Sequence, residues 1–339
     1  MPERPLALFA MSAENLPSLF PPDVLRRVRA VVDIDPTLIA ESFDDRPGND
    51  GVRAALAEAE ILITGWGSPP VDAAVLAAAP RLRAVLHAAG SVKGLIGPGC
   101  WERGTVVSSA ADANALPVAE YTLGMIMLVG KDLFAARDRY RAARSFTLAE
   151  VMPGIGNFGR RIGIVGASRI GRRLIELLRP FDFRIALADP YVDAAEASAL
   201  GVTPMSLDAL MSSSDIVTVH APATPETRHL VGARELALMP DGAVLINTAR
   251  GSLVDTDALV EELRAGRIAA VLDVTDPEPL PSASPLFDLP NAFLTPHLAG
   301  SHGNELARLG LCVAEELERL LHGLPLSHQI DRASLERAA

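Results

Sequence analysis

The sequence predicts an α/β protein made of two doubly wound parallel-sheet domains. Three observations predict it: short apolar runs of strand length alternate with helix-like segments almost from end to end, a long apolar segment interrupts that rhythm after Ala113, and a glycine-containing turn follows the first strand beyond the interruption. With 339 residues, 49% of them hydrophobic, the chain can bury two cores.

Leu6 to Phe9, Ile61 to Thr64, Ala84 to Leu86 and Thr105 to Val107 are short and apolar enough to be buried strands, and the Ala- and Arg-rich stretches between them fit helices. The segment from Pro117 to about Arg141 has helical spacing with a proline at its start, where a missing N–H costs nothing. It is read as the helix that crosses into the second domain. Glu150 to Gly159 contains Pro153, Gly154, Gly156 and Gly159 and reads as a loop. Strands recur at Arg161 to Val165, Arg184 to Ala188, Ile216 to His220, Ala243 to Asn247, Ala270 to Val274 and Ala292 to Thr295, which describes a six-stranded doubly wound sheet. A last helix, from about His302 to His322, is expected to pack back on the first domain. The expected boundaries are therefore 1–113 with 298–339 for a discontinuous first domain and 114–297 for the second.

Composition narrows the function. A net charge of -11 without a basic run argues against nucleic acid, whose phosphates need clustered Lys and Arg. No run of 18 apolar residues appears, Cys100 and Cys312 form no CxxC pair, and no metal-ligand spacing is present, so the expectation is a cytoplasmic protein with no membrane span and no metal site.

The turn after the strand Arg161 to Val165 reads Gly166-Ala-Ser168-Arg169-Ile170-Gly171. A GxGxxG turn uses its first glycine for the tight bend, its second for close approach to a pyrophosphate and its third for helix packing, and here Ser168 takes the middle place. Asp189 ends the next strand, at the separation where a carboxylate accepts from both hydroxyls of an adenine ribose and repels a 2'-phosphate. Pro190 and Tyr191 follow with no adjacent Arg, so NAD is favoured over NADP. Downstream, Arg250, Glu278 and His297 stand at the ends of apolar stretches. An Arg that grips a carboxylate, a His that passes a proton and a Glu that favours the imidazolium are the parts a 2-oxo acid reductase needs.

Five motifs in order carry a resemblance: Gly163 to Gly171, His220-Ala-Pro-Ala-Thr-Pro-Glu-Thr227, Met239 to Gly251, Asp273-Val-Thr-Asp-Pro-Glu-Pro279 and Thr295-Pro-His297, with a looser match at Asn114 and Val118-Ala-Glu120. The chain is similar to the D-isomer-specific 2-hydroxyacid dehydrogenases, a family that includes phosphoglycerate, glycerate/hydroxypyruvate and D-lactate dehydrogenases. The resemblance implies a Rossmann NAD-binding domain and a flavodoxin-like substrate domain with a cleft between them. It implies that Arg250 binds the substrate carboxylate and polarises its 2-oxo group, and that His297 is the acid/base. Glu278 would hold the His297 imidazolium, so that Glu278→Gln lowers the upper pH limit of reduction. It places Gly166, Ser168, Arg169, Ile170 and Gly171 at the cofactor pyrophosphate and Asp189 and Pro190 at the adenosine. His220, Ala221, Pro222, Thr227, Thr248, Ala249, Arg250, Asp273, His297 and Gly300 fall around the rest of the cofactor.

Substrate would meet Arg250, His297 and the backbone of Gly90, Ser91 and Val92, a turn whose successive N–H groups can hold an anion. That loop departs from the family pattern at Ser91 and Lys93, which leaves the 2-oxo or 2-hydroxy acid unspecified. Trp66 is a candidate pocket wall or a packing residue, His87 a possible contact, and His229, His302, His322 and His328 are expected at the surface. The resemblance also implies a homodimer joined through the second domain by the apolar segment Pro117 to Leu133. Two other readings fit the same residues: an NAD(H)-sensing corepressor-like binding protein and a phosphite dehydrogenase-like enzyme.

Overall fold

In a computed structural model, described for residues 4–146 and 155–337, the chain forms two compact units: Met1–Ala115 with Ser301–Ala338, and Leu116–Gly300. The divisions fall at 115/116 and 300/301, against 113/114 and 297/298 expected from the sequence.

The first unit holds strands β1 (Ala7–Ala10), β2 (Ile61–Thr64), β3 (Ala84–His87) and β4 (Val106–Ser109), parallel and in that spatial order. Period-two side-chain alternation divides the strands between two cores. Phe9, Ile61, Ile63 and Leu86 bury on one face and Leu8, Leu62 and Val85 on the other. The helix Leu306–Leu321 belongs to the first of these cores through Leu309, Val313, Ala314 and Leu317. There it lies against the helix Pro22–Val31, and Arg27 clamps Glu318 with two hydrogen bonds of 2.6 and 2.8 Å.

The second unit is a seven-stranded parallel sheet. Its strands are β5 (Arg161–Val165), β6 (Arg184–Ala188), β7 (Thr203–Pro204), β8 (Ile216–Val219), β9 (Val244–Asn247), β10 (Ala269–Leu272) and β11 (Ala292–Leu294). In space they run β7-β6-β5-β8-β9-β10-β11, the doubly wound order whose direction reverses between β5 and β8. Val217, Val219, Leu245 and Leu272 bury on one face, and Ile162, Ile164, Ile246 and Val271 on the other.

Four expectations are corrected. The crossing helix runs Ala111–Val129, so Pro117 lies inside it rather than at its start. The helix begins early, since Asn114 N–H already bonds the Ala110 carbonyl at 2.9 Å, and Pro117 then deprives an interior carbonyl of its donor. The helix also does not continue to Arg141. It stops at Gly130, where an added Cβ would strike the Asn157 side chain, and a second helix, Leu133–Ala143, starts after Asp132 in a left-handed conformation (φ +49°). Two short strands escaped the sequence reading: β7, and an antiparallel β12 (Gln329–Ile330) beside β4. β12 is tethered by the buried Glu316, which accepts from the N–H groups of Ser327 (2.9 Å) and His328 (3.1 Å). His328, expected at the surface, is half-buried and pairs with Asp112 at 2.9 Å. Of the loop expected over Glu150 to Gly159, residues 150–154 lie outside the described residues.

Candidate active site

In an open parallel sheet, ligands sit beyond the carboxyl ends of the strands, at the point where strand order reverses. In the second unit that point lies between β5 and β8. Gly166 takes φ +97°, and a Cβ there would meet the Ala221 amide nitrogen at 2.6 Å, so the turn after β5 lies directly on the end of β8. A Cβ on Gly171 would meet the Gly166 carbonyl at 2.2 Å. The two outer glycines are thus required by backbone contact, and they leave the first turn of the helix Arg169–Leu178 facing outward, a cradle for a diphosphate.

Ser168 sits at φ -64° and ψ 179°, a conformation open to any residue, and caps that helix by accepting from Gly171 N–H at 3.4 Å. The missing second glycine therefore costs no backbone strain. Both oxygens of Asp189 are oriented by amides, Ala167 N–H at 2.7 Å and Tyr191 N–H at 2.8 Å. Each oxygen keeps a lone pair for a ribose hydroxyl. Arg172, unremarked in the sequence, donates from Nε to the Ala167 carbonyl at 2.8 Å and from Nη1 to Glu196 at 2.7 Å. One turn residue is thereby held from both of its backbone groups.

At the ends of β9, β10 and β11 the chain assembles the three chemical groups. Arg250 is exposed and donates from Nη1 to the Ala249 carbonyl at 2.7 Å. The buried Asn247 holds its backbone, with Nδ2 on the Arg250 carbonyl (2.9 Å) and Oδ1 on Ala249 N–H (3.1 Å). Gly251 follows because a Cβ would lie 2.0 Å from the Thr275 carbonyl group. Glu278, on the loop after β10, pairs its Oε1 with Nδ1 of His297, on the loop after β11. That hydrogen bond leaves Nε2 as the nitrogen that can exchange a proton with a ligand.

Other expected cofactor residues serve the frame. Asp273 is buried and accepts from Thr295 Oγ1 (2.6 Å), Leu298 N–H (2.9 Å) and Ala299 N–H (2.9 Å). One lone pair on its Oδ2 remains for a carboxamide. Thr227 shapes its own loop by donating to the Pro222 carbonyl (2.6 Å) and accepting from Thr224 N–H (2.8 Å). Thr248 turns its hydroxyl to Thr122 at 3.1 Å, and Ala221 and Ala249 are buried. Pro190 is exposed next to Asp189, and Gly300 closes the unit. His220 is buried beneath the turn, with Nε2 on Thr218 Oγ1 at 2.9 Å. Among the described residues no cluster of three His, Cys, Asp or Glu side chains suits a metal, and no single helix is long and apolar enough to cross a membrane.

In the first unit, the loop after β3 leaves the N–H groups of Gly90, Ser91 and Val92 without a hydrogen-bond acceptor among the described residues. The Val92 side chain is buried, which pins the turn, and Lys93 is exposed. His87 is buried just before the loop, with Nδ1 on Thr64 Oγ1 at 2.9 Å and a further hydrogen bond to the Ser91 backbone. It braces the loop from below rather than lining it. Trp66 is 39% exposed.

Burial depresses both internal imidazoles, His87 to about 4 and His220 to about 3. The unfolded chain takes up those protons near pH 6.5 and the native state does not, so this stabilisation is complete above pH 6.5 and is lost as the pH falls through 4 and 3. Urea midpoints are expected to drop between pH 7 and about pH 4. The drop should be smaller in His220→Gln, and equal pH slopes in the two proteins would contradict this reading.

Residues 123–299 match the family profile described as D-isomer specific 2-hydroxyacid dehydrogenase, NAD binding domain. The chain is 36% identical over 284 residues to D-3-phosphoglycerate dehydrogenase of Mycobacterium tuberculosis, covering 82% of this chain and 52% of that protein, so it spans about half the length of that relative. It is 34% identical over 252 residues to glyoxylate reductase of Korarchaeum cryptofilum, covering 73% of this chain and 76% of that one. A phosphoglycerate oxidoreductase from Rhizobium etli superposes with a TM-score of 0.83 at 26% identity, over 98% of this chain and all of that one (100%).

Proposed function

Because this chain belongs to the D-isomer-specific 2-hydroxyacid dehydrogenase family and carries its NAD-binding domain, we propose that it interconverts a small 2-oxo acid and the corresponding D-2-hydroxy acid. The observation that carries the reading is the Glu278–His297 pair, formed from two separate loops at the carboxyl edge of the sheet that presents Arg250. The fingerprint turn would hold the cofactor diphosphate and Asp189 its adenine ribose, and the bound nicotinamide would supply or accept the hydride.

The chain's own residues then divide the work. Arg250 pairs with the substrate carboxylate and draws electron density toward the 2-oxo oxygen. His297 donates its Nε2 proton to that oxygen as it becomes an alkoxide, and recovers a proton from it in the reverse direction. Glu278 holds Nδ1 and with it the ring orientation and the charge of the imidazolium. The open amides of Gly90, Ser91 and Val92 are a second place for a carboxylate. We also propose a homodimer in a cytoplasmic setting, the dimer joined through the second unit, where Leu128, Leu133, Tyr140 and Phe158 are exposed. Chiral analysis of the product formed from a prochiral 2-oxo acid tests the proposed reaction: the D enantiomer is expected, and an L product would overturn it.

Asp189→Ala is expected to narrow the preference for NADH over NADPH by about tenfold or more, since the ribose pair of hydrogen bonds and the repulsion of a 2'-phosphate vanish together. Fluorescence titrations with both cofactors measure it. Equal selectivity before and after would place ribose recognition elsewhere.

A further inference from the structure

We propose that Tyr121 and Thr295 are positioning residues for His297, acting through the buried carboxylate of Asp273. The inference rests on the assignment of His297 as acid/base.

The direction of the chain of hydrogen bonds is readable from its end. An ionised carboxylate only accepts, so Thr295 commits its one hydroxyl proton to Asp273 Oδ1 at 2.6 Å. Its oxygen, 2.8 Å from the Tyr121 hydroxyl, must then be the acceptor, and Tyr121 the donor. Burial raises the Tyr121 pKa, the Thr295 hydrogen bond pulls against it and the negative charge of Asp273 adds to it, a net upward shift that keeps the phenol protonated. The relay therefore runs from Tyr121 in the helix Ala111–Val129, through Thr295 at the end of β11, to Asp273 at the end of β10.

Asp273 in turn gathers the loop that carries His297. Its side-chain oxygens take Thr295, Leu298 and Ala299, and its backbone carbonyl takes His297 N–H at 2.9 Å. His297 itself is left-handed, at φ +53°, a conformation that is strained for a residue with a Cβ. Four hydrogen bonds to one residue hold that conformation, and with it the ring that meets Glu278. A hydroxyl chain ending on a buried charge is stronger than a neutral one, because each bond polarises the next. Loosening it lets the His297 ring drift, and a displacement of about 1 Å can cost on the order of a hundredfold in rate.

The test compares Thr295→Val, which keeps the shape and removes both bonds, with Thr295→Ser, which restores the hydroxyl, and with Tyr121→Phe, which removes only the outer bond. Steady-state kinetics and amide hydrogen exchange over residues 296–300 are read together. Thr295→Val is expected to lower kcat at least about tenfold with the KM for NADH within about twofold, Tyr121→Phe to lose a few-fold, and Thr295→Ser to retain most of the rate. Exchange at Leu298 and Ala299 should quicken in the same rank order. Unchanged kcat in Thr295→Val, or exchange in that variant and in Tyr121→Phe equal to the parent, overturns the proposal. If the parent protein turns over no 2-oxo acid, the enzymatic reading fails, and the exchange rates alone decide whether the relay holds the loop.

Discussion

His297→Asn is expected to lower kcat about a thousandfold while NADH still binds, within the roughly 10²–10⁴-fold range that a positioned general acid contributes. The side chain is replaced by one that can hydrogen-bond Glu278 but cannot deliver a proton at neutral pH. Glu278→Gln should lose less, about ten- to a hundredfold, since the amide oxygen still accepts from Nδ1 while the charge that stabilises the imidazolium is gone. The double variant should be no worse than His297→Asn alone, because Glu278 acts only through the ring it holds. Losses that multiply would separate the two residues and remove the pair from the mechanism.

Arg250→Ala is expected to reduce kcat/KM by about a thousandfold or more, because it removes both the ion pair with the substrate and the charge facing the developing alkoxide. Arg250→Lys should recover little of it. A guanidinium makes two parallel bonds to a carboxylate where an ammonium is a point charge. The backbone at this position is held independently by Asn247 and by the Gly251 contact with Thr275, so the variants should keep their fold and their NADH affinity. Near-normal kcat/KM in Arg250→Ala would move carboxylate binding to another group, with the open amides of Gly90, Ser91 and Val92 the first alternative.

Most strands were legible because the sheet interiors are buried on two faces, which turns them into short apolar runs such as Ile61 to Ile63 or Ile162 to Val165. β7 and β12 were not, since two-residue strands carry no period, and β12 owes its place to Glu316 rather than to its own side chains. Pro117 misled because a proline in an apolar helical stretch is more often a start than an interior residue. In the candidate site, the glycines, Asp189 and the three chemical groups were legible as motifs, each near a strand end. The residues that hold them were not. Tyr121 and Thr295 are 174 positions apart, and Thr122 and Thr248 126 apart, so nothing local marks them as partners. Asn247 is the exception: an amide ending an apolar strand three residues before an arginine is a readable sign that a turn is being held.

The most direct test of the account is NADH oxidation by the purified protein across glyoxylate, hydroxypyruvate, pyruvate, phenylpyruvate and branched-chain 2-oxo acids, with the His297→Asn variant run in parallel. Turnover of at least one of these acids by the parent protein, lost in the variant, is the expected result. NADH binding with no turnover of any of them, or turnover that survives the loss of His297, would contradict it.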